Sequence, residues 1–473
     1  MNNTTKLVLG ISAIVIVAVS GWVYFSKKIS LERQESEAAS SNIYLSQSAA
    51  GSGDGSSCAN ARAVSFFNAS GNWGTGATQI GPGTVVHLCG TITTDLTFQG
   101  SGAAGSPVVV DGTGATMSGV GFTVSKNYLT LQNIRFPNGA GVFIGGGSMP
   151  HDIIIRNNYF KNQCTSARGD VIGTEGSYNV IIEGNYMENC ATNDVNHDDL
   201  IQTWAAGGNS ALAPHDWTIR YNYFVMNTPS EFNKSFHMLE GLTGPVNIYG
   251  NVYDGRRGGG SANGVNMNSN QSGMVANIYG NTQVQKSGGP NNLFNLKGSG
   301  QWNLRNNITY ASGAGNTLTG DAVGTSRMTR QNNLWFGPGS PSCVTTEICG
   351  QNPLFVNYAN NDFSLQSGSP AVGKGATQSA TYASGPVPGA TWPNPALATR
   401  SGTWDMGAFV KGSSTQTLGS SDLNTDGKVD VIDLGILLSS WGQTTKPKAD
   451  INQDAKVDVV DLGILLGKWG TSG

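Results

Sequence analysis

Charge is what this chain has least of. Only 12 % of its 473 residues are Asp, Glu, Lys or Arg, about half the ~25 % of an ordinary soluble domain. The formal net charge is −3, so no basic excess exists from which a footprint for nucleic acid could be made. Glycine fills much of the space left by the missing charges, with 66 residues, twice its usual ~7 % share. A chain so rich in Gly, Asn and Ser implies many turns between many short strands. Its length is enough for a large solenoid plus a module.

Long apolar runs are also scarce, the exception being Leu7 to Phe25, with Lys6 before it and Lys27 and Lys28 after. That run is long enough to span a bilayer. Residues 1–28 are therefore expected to be an export signal, with Ala18-Val19-Ser20 as a small-residue cleavage site, or a retained membrane anchor. Residues 29–56, rich in Ser, Ala, Glu and Gly, are expected to be a flexible stalk. The six cysteines suggest an oxidising compartment. Cys164 and Cys190 fall at nearly the same place in successive repeats, Cys343 and Cys349 bracket a short loop, and Cys58 and Cys89 remain for an N-terminal cap.

From about Ser57 to Lys411 a short apolar strand, a turn, a second strand and an Asn recur. Examples are IIIRNNYF ending at Phe160, WTIRYNYF at Phe224 and WNLRNNITY at Tyr310. The aligned asparagines are Asn158, Asn185, Asn222, Asn251, Asn281, Asn307 and Asn333, at spacings of 27, 37, 29, 30, 26 and 26. Periods of this size built on short strands indicate a solenoid, and a buried Asn at each tight turn can stack amide on amide. A β-sandwich would not keep such a period. The series resembles the right-handed parallel β-helix of pectate-lyase-like proteins. SCANARAVSFFNASGNWGTGATQIGPGTVVHLCGTIT from Ser57 is similar to their opening, and NPLFVNYANNDFSLQSGSPAVGKG followed by DMGAF to their closing coil. This all-β solenoid is assigned to residues 57–411, with 412–420 as linker.

Residues 421–473 contain one sentence written twice, DLNTDGKVDVIDLGILLSSWG from Asp422 and DINQDAKVDVVDLGILLGKWG from Asp450, offset by 28 residues. Oxygen-bearing side chains at alternate positions followed by a helical apolar run match a twelve-residue calcium loop, with ligands at positions 1, 3, 5, 9 and 12 and a carbonyl at 7. The first loop supplies Asp422, Asn424, Asp426, Asp430 and Asp433 with the carbonyl of Lys428. The second supplies Asp450, Asn452, Asp454, Asp458 and Asp461 with the carbonyl of Lys456. Gly427 occupies the sharp turn of the first loop and Ala455 that of the second, which predicts a weaker second site. Leu434, Ile436, Leu437, Leu438 and Trp441, with Leu462, Ile464, Leu465, Leu466 and Trp469, are expected to pack two helices together. Two calcium loops in register, with no helix before the first, resemble a dockerin of the cellulosome type. The resemblance implies two Ca²⁺ ions, a cohesin-type scaffold partner and an extracellular or cell-surface setting. Val431, Ile432, Val459 and Val460 stand where such domains carry polar partner-reading residues, which leaves the class of cohesin unread.

Alternation places a candidate site on one face of the solenoid. If Ile172, Ile201, Phe236, Val265 and Phe294 point inward, then Asp170, Asp199 and Lys234 form one outward ladder and Gly173, Gln202 and His237 another. Trp204 lies at the strand exit, with Asp198 and His197 at the edge. HDDLIQTW, from His197 to Trp204, is similar to segments of parallel β-helix enzymes that act on acidic polysaccharides. Such a face suits elimination on a uronate, where a base (Lys234 or His237) takes the C5 proton while Asp170, Asp198 and Asp199 hold a further Ca²⁺ or orient the base. Gln202, Trp204, Arg256 and Arg257 are expected to bind substrate, the arginines through a carboxylate. C5-epimerisation uses the same groups. Hydrolysis by paired carboxylates is a further alternative, although the Gly-His-Gly and Arg-Ile-Lys elements of polygalacturonase-like hydrolases are absent. From a different class, a non-catalytic surface adhesin fits the same face.

Overall fold

A computed structural model describes residues 41–138, 141–161, 170–188, 199–205, 209–226, 235–257, 263–269, 273–285, 292–313, 316–410, 421–424, 428–443, 449–451 and 457–469. The strands are short, two to seven residues, and apolar side chains alternate inward along them. His151–Arg156, Tyr159–Lys161 and Ile172–Glu175 illustrate one coil; Tyr178–Glu183, Tyr186–Glu188 and Ile201–Trp204 are the next. Each strand pairs in parallel with its counterpart one coil away, for example Ile153 with Val180, Phe160 with Met187 and Ile172 with Ile201. The described strands thereby build three sheets of twelve, eleven and nine strands. The fold is a parallel β-helix. Its interior is one continuous apolar column containing Leu131, Ile155, Ile182, Ile219, Ile248, Ile278 and Leu304 on one side, and Phe136, Phe160, Met187, Phe224 and Tyr253 on another.

The corner between the first and second sheets explains the asparagines. At each of these corners one residue takes a left-handed backbone: Asn157, Gly184, Tyr221, Gly250, Gly280, Asn306 and Asn332, with φ between 52° and 65°. Glycine and asparagine tolerate that geometry, which accounts for most of these residues. The next residue is in every case the repeated Asn, and all seven are wholly buried. The side-chain oxygen of Asn222 accepts both the backbone N–H and the amide of Asn185, each at 2.9 Å, while its own amide reaches Asn251 at 3.1 Å and the Ile182 carbonyl at 2.9 Å. The same pattern runs from Asn158 to Asn333, where Glu347 accepts the last amide at 2.9 Å.

Two expectations need correction. The stalk does not extend to residue 56, because Asn42–Ser46 is a strand of the first sheet, paired with Val85–Cys89. Ile43 and Leu45 are buried there, a two-residue alternation hidden among Ser and Gly. The closing segment also does more than end the stack. Phe355, Phe363, Leu365, Met406 and Phe409 cover the outer face of the second sheet, packing on Tyr223, Val225, Val252, Val284 and Ile308. Disulfides join Cys58 to Cys89 and Cys343 to Cys349. Cys164, Cys190 and the run from Leu7 to Phe25 lie outside the described residues, and no described helix is long and apolar enough to cross a membrane.

After Val410 the chain forms a second compact unit. Its helices are Val431–Ser439 and Val459–Gly467. Leu423, Val429 and Leu437 pack with Ile451, Val457 and Leu465, their equivalents one repeat later. Leu434, Ile436, Leu462 and Ile464 are partly buried against that core. Leu438, Trp441, Leu466 and Trp469, expected to join it, are about half exposed instead. Leu438 and Leu466 lie off the one face that a nine-residue helix turns to its neighbour, and Trp441 and Trp469 come after the helix ends.

Asn222→Ala is expected to cost about 3–5 kcal/mol in urea unfolding, because it strands several buried polar groups at once. Asn303, on the outer face, donates one amide bond to Asn277; Asn303→Ala should cost about 1 kcal/mol or less. Equal losses would mean that burial of the ladder amide carries no special weight.

Candidate functional site

The third sheet turns a column of outward residues to one side: Thr123, Phe143, Gly173, Gln202, Met238, Asn266, Asn295 and Thr319, each paired with the next. Near its start lies a cavity of about 340 Å³ lined by Thr123, Phe143, Asp170, Gly173 and Trp204 among others. Gly173 is the open floor. A Cβ placed there would come within 3.4 Å of Asp170 Oδ2 and 3.6 Å of Trp204 Cη2. The indole reaches over this bare backbone, with its centroid 6.2 Å from that of Phe143. The result is an aromatic wall facing a carboxylate, a combination suited to a sugar ring. Thr123 and Phe143 were not singled out in the sequence, although Phe143 sits between inward Val142 and Ile144, where period two turns it outward.

Asp170 and Asp199 occupy matching positions in adjacent coils. The backbone N–H of Asp199 donates to Asp170 Oδ1 at 3.0 Å, and that of Ser235 donates to Asp199 Oδ1 at 2.5 Å. With its amide correctly oriented, Gln202 donates to Asp170 Oδ2 at 2.6 Å. Asp170 borders the cavity and is partly exposed, whereas Asp199 is almost wholly buried. Asp198, His197 and Lys234 lie outside the described residues; the chain places Lys234 directly before Ser235. Among the described residues no three His, Cys, Asp or Glu side chains converge as a metal site.

His237 is a correction. Ile201 pairs with His237, not with Phe236, so the expected register is off by one residue and the imidazole points inward. It is wholly buried, 2.9 Å from the Tyr253 hydroxyl and edge-on to Phe224. Burial pulls its pKa from 6.5 down to about 3, and no substrate can reach it. Phe236 instead fills the corner position before the inward column, as Leu200 does one coil earlier. Met238 takes the outward place.

Arg256 is a second correction. Its guanidinium grips Asp254 through Nε and Nη2 at 2.8 and 2.7 Å, donates to the Tyr358 carbonyl and to Asn361, and lies over the rings of Tyr358 and Phe363. It fastens the closing segment to the second sheet. Arg257 is half exposed, with Nη1 4.0 Å from Glu188, and borders a cavity on the second sheet rather than the third.

In the C-terminal unit the helix starts are made by the predicted ligands. Asp430 caps the first helix by accepting the Ile432 N–H at 2.8 Å, and Asp433 accepts those of Asp430 at 2.8 Å and Leu423 at 2.7 Å. Burial would raise the Asp433 pKa, but bonds from the backbone N–H groups of Asp430, Asn424 and Leu423 outweigh it and hold the carboxyl below its ordinary range. Asp461 repeats the contact, accepting the Asp458 N–H at 2.8 Å. Asp422, Asp433, Asp450 and Asp461 are all buried. This all-oxygen, acidic donor set fits a hard cation such as Ca²⁺. Asp426, Asn452, Asp454 and Lys456 lie outside the described residues. Residues 414–467 match the dockerin type I domain family.

The dockerin match leaves the solenoid, which has its own likenesses among solved structures. Pectate lyase Pel9A is 14 % identical over 80 % of this chain and 99 % of its own, with a TM-score of 0.45. Pectate lyase Bsp165PelA from Bacillus sp. N165, in complex with trigalacturonate, is 12 % identical over 57 % of this chain and 83 % of its own, at 0.35. The alginate lyase from Paenibacillus sp. str. FPU-7 is 12 % identical over 53 % and 88 %, also at 0.35. No curated protein matches this chain. On the dockerin surface Val431 and Ile432 are exposed, 68 % and 52 %, as are Leu438 and Leu466.

Two outcomes follow from this geometry. His237 has a folded pKa below its unfolded value, so its contribution to stability is complete above pH 6.5 and is lost as the pH falls from there towards about 3. The thermal midpoint should therefore fall between pH 7 and 4, and fall less in His237→Gln; an unchanged slope would assign the acid sensitivity to other groups. Calorimetry of the full chain with Ca²⁺ should show two dockerin sites, the second weaker, with Ala455→Gly bringing them together. Equal affinities in the parent protein would remove the role given to Ala455.

Proposed function

We propose that this protein is an extracellular polysaccharide lyase that cleaves a uronic-acid-containing glycan by β-elimination and is carried on a cohesin-bearing scaffold by its dockerin. The observation that supports a glycan-acting site most directly is the Trp204–Gly173–Asp170 cavity, where an indole face and a carboxylate meet across a floor without a side chain. The two disulfides among the described residues accord with an exported protein.

In this reading Trp204 and Phe143 take the apolar face of a sugar ring, and Gln202 hydrogen-bonds at its edge. Asp170 and Asp199, with Asp198, are the groups that would hold Ca²⁺ in the groove. When bound, the ion would neutralise the uronate carboxylate and acidify the C5 proton. Lys234 is the base assigned to that proton. Its ammonium must be deprotonated to act. As the proton leaves C5, the C5–H electrons form the C4–C5 double bond, the C4–O glycosidic bond breaks, and the departing oxygen takes a proton from water. His237 has no part, being enclosed. For the dockerin, Asp422, Asp433, Asp450 and Asp461 are the described side chains assigned to two Ca²⁺ ions, and exposed Val431 and Ile432 lie at positions that read the partner.

Incubation with polygalacturonate, alginate and other uronic-acid polymers in the presence of Ca²⁺ should release products with the ultraviolet absorbance of an unsaturated uronate. Lys234→Ala should lower turnover roughly a thousandfold while glycan binding survives. Trp204→Ala should act mainly on KM. Reducing ends without that absorbance would indicate hydrolysis, and binding without turnover on any polymer would favour the adhesin reading.

A further inference from the structure

A second cavity, of about 390 Å³, opens on the other side of the molecule from the groove residues, against the outer face of the second sheet. Its floor is a tyrosine ladder. Tyr159 and Tyr186 stack at 5.0 Å and 9°, Tyr186 and Tyr223 at 5.9 Å and 10°, and Trp392 tilts over Tyr223 at 5.1 Å and 53°. The wider gap between Tyr186 and Tyr223 coincides with the cavity, which both residues line together with Trp392 and Arg257.

Each wall is fastened by contacts that are complete without a ligand. Tyr186 donates its hydroxyl to Glu188 at 2.5 Å and Tyr223 donates to Asp254 at 3.3 Å, which sets both rings. Burial and the bond to Glu188 push the Tyr186 phenol pKa up, and burial with the Asp254 charge does the same at Tyr223, so both remain donors. Arg256 pins the 358–363 wall as described above. Trp392 donates its indole N–H to the Tyr221 carbonyl at 2.7 Å, which fixes the third wall. Tyr221 is the bulky residue among the seven left-handed positions that precede the ladder asparagines, at φ 58°, and its carbonyl is what Trp392 uses. A cavity so braced loses little entropy when it binds.

Both acidic and basic groups surround it. Asp254 is neutralised by the two-pronged grip of Arg256. Glu188, 1 % exposed, has Lys161 at 3.6 Å and Arg257 at 4.0 Å, both cations substantially exposed. Arg257, at the cavity lining and half exposed, is placed to turn to a ligand. On the far wall Asp362 Oδ1 accepts the Ser364 N–H at 3.0 Å, which orients an acceptor suited to sugar hydroxyls.

We infer that this cavity is a second carbohydrate-binding site, taking a terminal or bent segment of an acidic oligosaccharide with its ring against the cavity wall made by Tyr186, Tyr223 and Trp392 and its carboxylate on Arg257. The nature of the sugar rests on the acidic-glycan reading above; the existence of the site does not. It would let the protein hold a polymer away from the groove where the bond is cut.

The test is calorimetric titration of the full-length Lys234→Ala protein, which should bind without cleaving, using tetragalacturonate and the neutral cellotetraose as probes. Tetragalacturonate should show two binding events. Ala390→Trp, which fills the cavity from its rim, should abolish one of them, and Arg257→Gln should weaken the same event roughly tenfold. Trp204→Ala should weaken only the other. A single event, removed by Trp204→Ala and untouched by Ala390→Trp and Arg257→Gln, would overturn the proposal. Cellotetraose binding as tightly as the acidic probe would overturn the role of Arg257. Arg257→Gln alters a half-exposed side chain and should keep the parent's thermal midpoint, so the test does not depend on how Ala390→Trp folds. Failure of the lyase reading shows separately, as absence of unsaturated product from the unmutated protein.

Discussion

The solenoid depends on a buried amide that needs a copy of itself. A carboxamide has a strong acceptor and two donors, and in an apolar interior each must be matched. At the corner between the first and second sheets the Asn oxygen takes two N–H groups from the preceding coil, and its amide gives to the following coil and to a carbonyl. No single coil can satisfy its own corner. Stacking is therefore obligatory, and it must be in register, since a slip of one residue would leave polar groups unmatched at every level. The ladder begins where Asn158 accepts the Ile134 N–H and ends where Glu347 takes the last amide. Earlier coils lack it and rely on apolar stacking, with Cys58–Cys89 tying the first strand region to Val85–Cys89.

With the register fixed, each outward column becomes a line of side chains at strand spacing, and the two described cavities differ in how those lines are filled. The third sheet carries mostly small or polar residues beside Phe143 and Met238, with bare backbone at Gly173, and leaves space into which Trp204 reaches. The second sheet carries aromatic and aliphatic residues on both faces, so its outer side needs a cover. Residues 355–410 supply it, and Arg256 is one of the fasteners. The cover leaves a gap where the tyrosine ladder opens between Tyr186 and Tyr223.

The repeat was legible in the sequence because a buried Asn at a left-handed corner has few substitutes; its neighbours Gly184, Gly250, Gly280, Asn157, Asn306 and Asn332 declare the backbone they must adopt. The outward placement of Asp170, Gln202 and Trp204 was legible because they are tied to inward Ile172 and Ile201, whereas Asp199, read as outward, is almost wholly buried. His237 was not legible. Phe236 and His237 are both buried, and a rule that sends apolar residues inward and polar ones outward must choose between them. The Tyr253 hydroxyl that makes the imidazole acceptable inside comes from a strand of another sheet, sixteen residues later. Adjacent Arg256 and Arg257 look alike in the chain, and what separates them is Asp254, Tyr358 and Asn361, two of which lie about a hundred residues away. The strand at Asn42–Ser46 is too short to stand out from a Ser- and Gly-rich stretch.

One small device serves both units of the chain. Asp170 and Asp199 in the solenoid, and Asp433 and Asp461 in the dockerin, each accept a backbone N–H, Asp433 on both of its oxygens. A carboxylate oriented by the main chain need not be positioned by its own rotamer alone, so its second oxygen takes a direction set by the fold. In the dockerin the side chains that satisfy the first helical turn are the same ones the sequence offers as calcium ligands. In the solenoid the same arrangement makes the placement of Asp170 a consequence of coil stacking, since its partner N–H belongs to the next coil. The asparagine ladder thus acts at a distance on the groove. Whatever keeps the coils in step also keeps the Asp170 carboxylate turned towards the Trp204 indole across the bare backbone of Gly173.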